Sequence, residues 1–544
     1  MGKSTRVWAA GLTALLALAA FAGYLATRPG KPAPPPATAP VAAAPAPPAA
    51  KPAPKPHVFT PAELNGFLIA AANAEAITDP LKRCLAYPDP PSSHWNAAAV
   101  SAYCHYRTQP TVTADEVRDL IEHGRAAELD RRLGDSLQAQ LTQPDAVGRL
   151  DRTFFADFND GSLDQRYLID AWKRASPHSA FAYAASGFAY VQMAIAARGG
   201  DYASKTPQDN MDSMQRLLTL ADTDLQQARK LEPRITPIYT AMVQAGGYGL
   251  GERYAERALH DGLQQDPANF AIYGQYIWIA QPQWLGSLQD LQHAVDQGLQ
   301  HARQNPLLWL NQSQVAGYLA NIHNWSGHPL HVEDFPAVFD QATDAGPLRA
   351  AGMTAAAHGQ PAMAAIYLSE AVRFNPDDTA ARLQLARVAG AQNQPALVML
   401  HAGKLLAAHP DDPELLTLLG WASLQMGKID DARADLVRAL EKNPDNGFAM
   451  SLLGSVYVYS THEWDKGWAL ADRLIAEFPE HPEGWHLRAS IQLHQPRAGL
   501  DDTLHYFILH FGNDPSQRGV VREMRSMLQA EAQGGDDPLK PFRG

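Results

Sequence analysis

An all-α chain built as a solenoid of helical hairpins is the fold this sequence predicts. Three observations carry the prediction. Helix-forming Ala, Leu, Gln and Glu dominate while β-branched runs are scarce, prolines recur at an even spacing in the second half, and the apolar residues between them keep a helical period. With 544 residues the chain can fill more than one core. Its net charge of -12 is spread among residues of both signs. No basic stripe offers itself to phosphates, which argues against a nucleic-acid partner.

The repeat register is clearest near the carboxy terminus. "NPDD", "HPDD", "NPDN" and "FPEHP" place prolines at 376, 410, 444 and 479, at intervals of 34, 34 and 35 residues. A 34-residue helical period points to tetratricopeptide repeats. Within one unit, Gly420 allows two helices to approach, Ala432 and Ala439 leave room at the crossing, and Leu436 fills the space between them. Gly352, Ala364, Leu368 and Ala371 repeat that arrangement one unit earlier, and Leu453-Gly454 with Tyr457 open a later one that carries an extra residue near "THEWDKG". Upstream, Pro233 and Pro267 are again 34 apart, whereas Pro306 follows after 39, a stretched unit whose insertion falls around "PQWLGS". Gly187 and Tyr190 occupy first-helix positions in "SAFAYAASGFAYVQMAIAARGG". The predicted fold is thus a tetratricopeptide-like helical-hairpin solenoid, preceded by a transmembrane helix and a Pro/Ala-rich linker.

Lys3 and Arg6 precede an uncharged run of 19 residues from Trp8 to Ala26, just long enough to cross a bilayer as a helix. A signal peptide cleaved near Ala20-Phe21-Ala22 and a retained anchor both fit this pattern. The eleven prolines that follow, between residues 30 and 56, favour the anchor. They form a semi-rigid spacer that could reach roughly 80 Å, and a spacer has most use when its near end is held. Thr60 with Pro61 and Glu63, and Thr113 with Glu116, are capping boxes that open the first folded helices. The expected organisation is a cytoplasmic stub and anchor over 1–29, the linker over 30–57, a helical accessory domain over 58–160 and an irregular repeat-like domain over 161–324. A joint over 325–344, tetratricopeptide repeats over 345–512 and a terminal helix and tail over 513–544 complete it. Cys84 and Cys104 are the only cysteines. Outside the cytoplasm they are a candidate disulfide closing a proline-rich loop; in a reducing compartment they would be buried thiols, and zinc would need two further ligands.

The segments "AWKRASPHS", "AIAARGGDYASKTP" and "PQWLGS", within about residues 167–291, resemble the opening, middle and close of a bacterial repeat-associated family of unknown function, with Leu285 standing where the family has glycine. That resemblance implies architecture and no catalytic residue. Trp284, Gly286 and Ser287, with Arg198, Gly199, Gly200 and Tyr202, are candidates for a small pocket suited to an anionic or aromatic group. The structural alternative has Trp284 filling a gap, Gly286 taking a backbone angle other residues resist, and Ser287 capping the next helix. Tyr457, Trp464, Trp468 and Trp485 are candidate aromatic anchors or core residues of the carboxy-terminal repeats. Histidines 323, 328 and 331 with Glu333 cluster in sequence, yet no rigid ligand frame spaces them. P-loop, dinucleotide, nucleophile-elbow and HExxH motifs are all absent.

No cofactor and no catalytic residue is therefore expected. The leading functional expectation is an envelope scaffold or adaptor, single-pass in a bacterial inner membrane, with its bulk in the periplasm. Its repeat surface would bind a protein or peptide. A hydrolase or transferase with a site between the amino-terminal domain and the first repeats is the contrasting expectation, and a structural spacer is the third.

Overall fold

Turn chemistry sets the repeat. At four of the repeat prolines the residue two positions on is Asp or Asn, and in each case that residue is the N-cap of the next helix. Asn269, Asp378, Asp412 and Asn446 accept from backbone N–H groups of Ile272, Ala381, Leu415 and Ala449. The proline follows a helix end, where its missing N–H costs nothing, and the cap restarts the chain in a new direction.

The structure, a computed structural model, describes residues 57–201, 203–323 and 329–532. Among the chain's two units, Met1–Pro54 lies outside these residues and Lys55–Gly544 contains them. The Trp8–Ala26 run, the Pro/Ala-rich linker up to residue 56, Tyr202, His328 and the extreme carboxy terminus fall outside the described residues. Three helices come first, α1 (Pro61–Glu75), α2 (Pro80–Ala86) and α3 (Ala97–Thr108), with both capping boxes present at α1 and at α4 (Ala114–Glu122). Helices α5 (Ala126–Thr142), α6 (Arg149–Asp157) and α7 (Leu163–Ala175) lead into the long hairpin α8 (Ala180–Arg198) and α9 (Gln208–Leu231). Then follow α10 (Thr236–Ala245), α11 (Glu252–Gln265), α12 (Phe270–Ile279) and α13 (Leu288–Gln300), and the short α14 (Gln314–Leu319) and α15 (Phe335–Val338).

The later hairpins are α16 (Ala345–Ala357) with α17 (Pro361–Phe374), α18 (Thr379–Ala391) with α19 (Pro395–Ala408), and α20 (Pro413–Gln425) with α21 (Ile429–Lys442). After them come α22 (Gly447–Ser455) with α23 (Trp464–Glu477), α24 (Pro482–His494) with α25 (Leu500–Phe511), and α26 (Arg518–Ala532). Small residues do at the crossings what the repeat pattern requires. A Cβ on Gly187, Gly352 or Gly420 would lie 2.5, 2.6 or 2.6 Å from Leu225, Leu368 or Leu436 of its partner helix. Gly454 differs, because its missing side chain admits Leu487 of the following unit. The extra residue of that unit is absorbed by a π-helical turn, Val456–Ser460.

Of the described helices, α8 alone is long and apolar enough to cross a membrane by length and composition. Half of its apolar window is buried, and its close seat on α9 through Gly187 accounts for that composition as hairpin core.

Residues 58–160 divide between two cores. Leu64 to Cys104 join a core that runs from Leu307 to Ala422, including Phe335 and Phe339 of the joint, whereas Val112 to Phe158 pack with Leu168 to Ile279. The structure joins Cys84 of α2 to Cys104 of α3 by a disulfide, with the Cα atoms 5.7 Å apart.

In the second core a buried carboxylate ties three hairpins together. Asp151, 2% exposed, accepts hydrogen bonds from Gln140, Thr236 and Asn269. Burial pushes its carboxyl up to about 6, against the lowering effect of those donors. The native state then holds this proton more tightly than the unfolded chain. Its contribution to stability is full below the unfolded carboxyl value and has gone once pH rises past about 6. A pH series of urea denaturation is expected to show stability falling through this window. An equal slope in Asp151→Asn would rule the residue out as its source.

Candidate functional site

Two of the three family-like segments meet in space. The first, around Trp172, builds the hairpin: Trp172 is fully buried with its Nε1 donating to Asp130, and Ser179 caps α8. The second ends α8 at Arg198, where Gly199 takes a left-handed φ of 82° that turns the chain away. The third forms the connection between α12 and α13. Here Trp284 packs on Trp278 of α12 at 4.3 Å between ring centroids and edge-on to Tyr248 at 5.0 Å, while Tyr248 stacks on Trp278 at 5.5 Å.

These rings and Arg198 line a cleft of about 800 Å³, together with Gly200, Asp201, Met211, Gly247 and Gln283. Tyr248 lies in a π-helical turn, Gly246–Leu250. Gly247 beside it has no side chain because a Cβ there would sit 2.7 Å from the Trp278 ring. The Arg198 guanidinium lies 6.0 Å from the Tyr248 ring and donates to the Gly199 carbonyl. It forms no ion pair among the described residues. A guanidinium outside any such pair, beside three half-buried rings and with Asp201 on the same wall, is suited to a ligand carrying an anionic group next to apolar surface.

The remaining predicted residues have other places. Gly286 does not occupy the left-handed region; it is required because a Cβ would meet the Ala280 carbonyl oxygen at 2.3 Å. Ser287 is the N-cap of α13, accepting from Asp290, and lies beside the cleft without lining it. Leu285 packs into the second core and its N–H donates to Ile279. Tyr457 is buried among the carboxy-terminal repeats with Lys466 over its ring. Trp485 stacks on Tyr506 at 3.8 Å, Trp464 on His494 at 5.4 Å, and Trp468 lies between Arg488 and Arg497. None of these four borders the aromatic cleft. Tyr248, Trp278 and Met211 escaped the sequence reading. The glycine-rich "AGGYGLGE" and the tryptophan six residues before Trp284 were the available signals.

A second groove of about 540 Å³ adjoins the first, and Trp278 lines both. It lies between α3, α12 and the start of α16, where the enzyme expectation placed a site. Asp344 and His323 line it. Burial raises the Asp344 carboxyl and lowers the His323 imidazole. Asp344 is committed as the N-cap of α16, accepting from Gly346, and the neighbouring Ala345 N–H donates to the Tyr103 hydroxyl. Among the described residues no group of three or more His, Cys, Asp or Glu side chains is placed to hold a metal ion.

Stacked hairpins around such a cleft define an all-helical repeat protein with a ligand-sized aromatic recess. Residues 113–248 match the model of a domain of unknown function, DUF4034, which spans α4 to Tyr248 of the cleft and stops short of Trp278 and Trp284. Among solved structures, the TPR domain of P58(IPK) is similar at 13% identity over 76% of this chain and 99% of that one, with a TM-score of 0.22. Yeast Tom70 is similar at 10% identity over 87% of this chain and 90% of that one, with a TM-score of 0.29. Superposition this loose carries no argument about function. No curated protein matches the chain.

Proposed function

We propose that the protein is a tetratricopeptide-type adaptor of the bacterial envelope that binds a protein or peptide through its repeats. In this reading residues 8–26 hold it in the inner membrane, residues 30–57 space it from the bilayer, and the repeats lie in the periplasm. The observation that carries the binding role is the Arg198–Tyr248–Trp278–Trp284 cleft, which presents a guanidinium that has no ion pair among the described residues beside a half-buried aromatic cluster. Arginine and tryptophan in a recess are the side chains that most often dominate binding energy. The Cys84–Cys104 disulfide supports an oxidising compartment.

A photoreactive residue at Gln283, on the cleft wall, tests this in intact cells. Capture of a discrete protein partner is expected. Arg198→Ala and Trp284→Ala are each expected to weaken it by about 2 kcal/mol, roughly thirtyfold in affinity. Capture that survives both substitutions unchanged would remove the cleft from the binding surface. A spacer would yield no discrete partner.

A further inference from the structure

The groove beside the aromatic cleft contains unspent hydrogen-bonding capacity of one kind. Asn311 is 3% exposed, and among the described residues its Nδ2 has no acceptor and the Oε1 of Gln275, on α12, has no donor. Both residues line the groove. Gln281 and Gln314 line it too, and Gln283 stands between this region and the cleft. Buried polar atoms without partners are uncommon in folded chains and costly to keep, so two in one groove ask for an explanation. The charged groups there are already engaged. Arg107 donates to the Phe374 carbonyl at 2.8 Å and to Asn375 at 2.9 Å, and Asp344 caps its helix.

The buried side-chain atoms left unpartnered there are thus one neutral donor and one neutral acceptor, in a groove also lined by the rings of Tyr106 and Phe270. A secondary amide offers the complement of that pair, an N–H for Gln275 and a carbonyl for Asn311. Terminal carboxamide torsions are broad, so rotation about them is the movement that would turn both groups toward a ligand. Trp278 borders both recesses, so a ligand entering one can continue into the other. An extended chain is the ligand that places an amide at each step along such a path.

We propose that this second groove is a main-chain-reading subsite: Gln275 and Asn311 bind a backbone amide of an extended peptide whose anionic or aromatic portion lies at Arg198. The inference rests on the peptide-binding reading and specifies how the peptide is held. Recognition through backbone amides is tolerant of side-chain sequence, whereas the aromatic cleft selects.

The test uses the full-length protein, an array of random twelve-residue peptides and an array of oligosaccharides. The best peptide is remade with N-methyl groups placed singly along its backbone. Asn311→Asp removes the donor, and Gln275→Glu makes its acceptor an anion, with side-chain shape conserved in both. Unchanged melting temperatures establish that these variants fold. The expected result is about a tenfold loss of affinity in Asn311→Asp, and a similar loss from N-methylation at one or two positions. In Gln275→Glu, which keeps an acceptor and strengthens it, that N-methylation should cost at least as much as in the native protein. If peptide binding depends on Arg198 but neither Asn311→Asp nor any single N-methyl group changes it, the subsite is wrong and the adaptor reading stands. If no peptide binds, or only oligosaccharides do, both are wrong.

Discussion

Glu75→Ala is expected to destabilise the protein by about 3–5 kcal/mol, because it strips the counter-ion from buried cations. Glu75 closes α1 and is 4% exposed. Arg83 and Tyr87 from the amino-terminal helices donate to it, as do Arg382 at 2.9 Å and Lys404 from the repeats. An acid in the last turn of a helix opposes the helix dipole, so this one depends on its partners. Burial would raise its carboxyl; Arg382, Lys404, Tyr87 and Arg83 together hold it well below the usual carboxylate range. The sign of the pH dependence follows. A depressed native value contributes stability above the unfolded carboxylate value near 4.5 and loses it as pH falls. Urea denaturation of the full chain should show the loss at neutral pH and a flatter acid limb in the variant. Amide exchange should rise across 61–86, the segment the cluster pins to α18 and α19. Wild-type exchange in that segment would mean that the apolar core alone holds it.

Replacing both cysteines by alanine is expected to cost about 3 kcal/mol, the loop-closure entropy of a bridge spanning 20 residues. Both sulfurs are buried, and the Cys84 carbonyl accepts from Arg373 of α17, so the bridge stiffens the surface on which the repeats rest. Treatment with reductant should lower the melting temperature of the native protein and leave that of the double variant unmoved. Equal melting temperatures with and without reductant in the native protein would contradict the assignment.

The hairpin pattern was legible because it is local. A helix start depends on a cap within three residues, and a crossing depends on glycine and leucine on adjacent helices of one 34-residue unit. Gly352 and Gly420 therefore announced themselves, whereas the caps Asp378 and Asp412 stood unread inside the proline motifs. Ser287 was legible for the same reason, since its partner Asp290 is three residues away. The joint was less so: Phe335 and Phe339 are core residues carried on a turn too short to show a period.

The candidate site was half visible. Arg198 and Trp284 stood out as residue types in a family-like context, but 86 residues separate them, and nothing local says that they share a recess. Tyr248 and Trp278 read as ordinary helix residues until the glycine-lined turn at Gly246–Leu250 brings their rings together. Gly286 was noticed for the wrong cause. A backbone angle can be guessed from a residue and its neighbours, whereas its actual constraint is a carbonyl six residues back that the loop folds onto.

Helix, period, capping and the all-α hairpin class came from amino-acid order alone, because each rests on interactions within a turn or a repeat. The pairing of α1–α3 with helices some 300 residues later, the division of 58–160 between two cores, and the joining of two recesses at Trp278 were decided only in three dimensions. Those features depend on how hairpins stack, and stacking is set by side-chain volumes and buried charges summed over many units. No single stretch of sequence contains that sum.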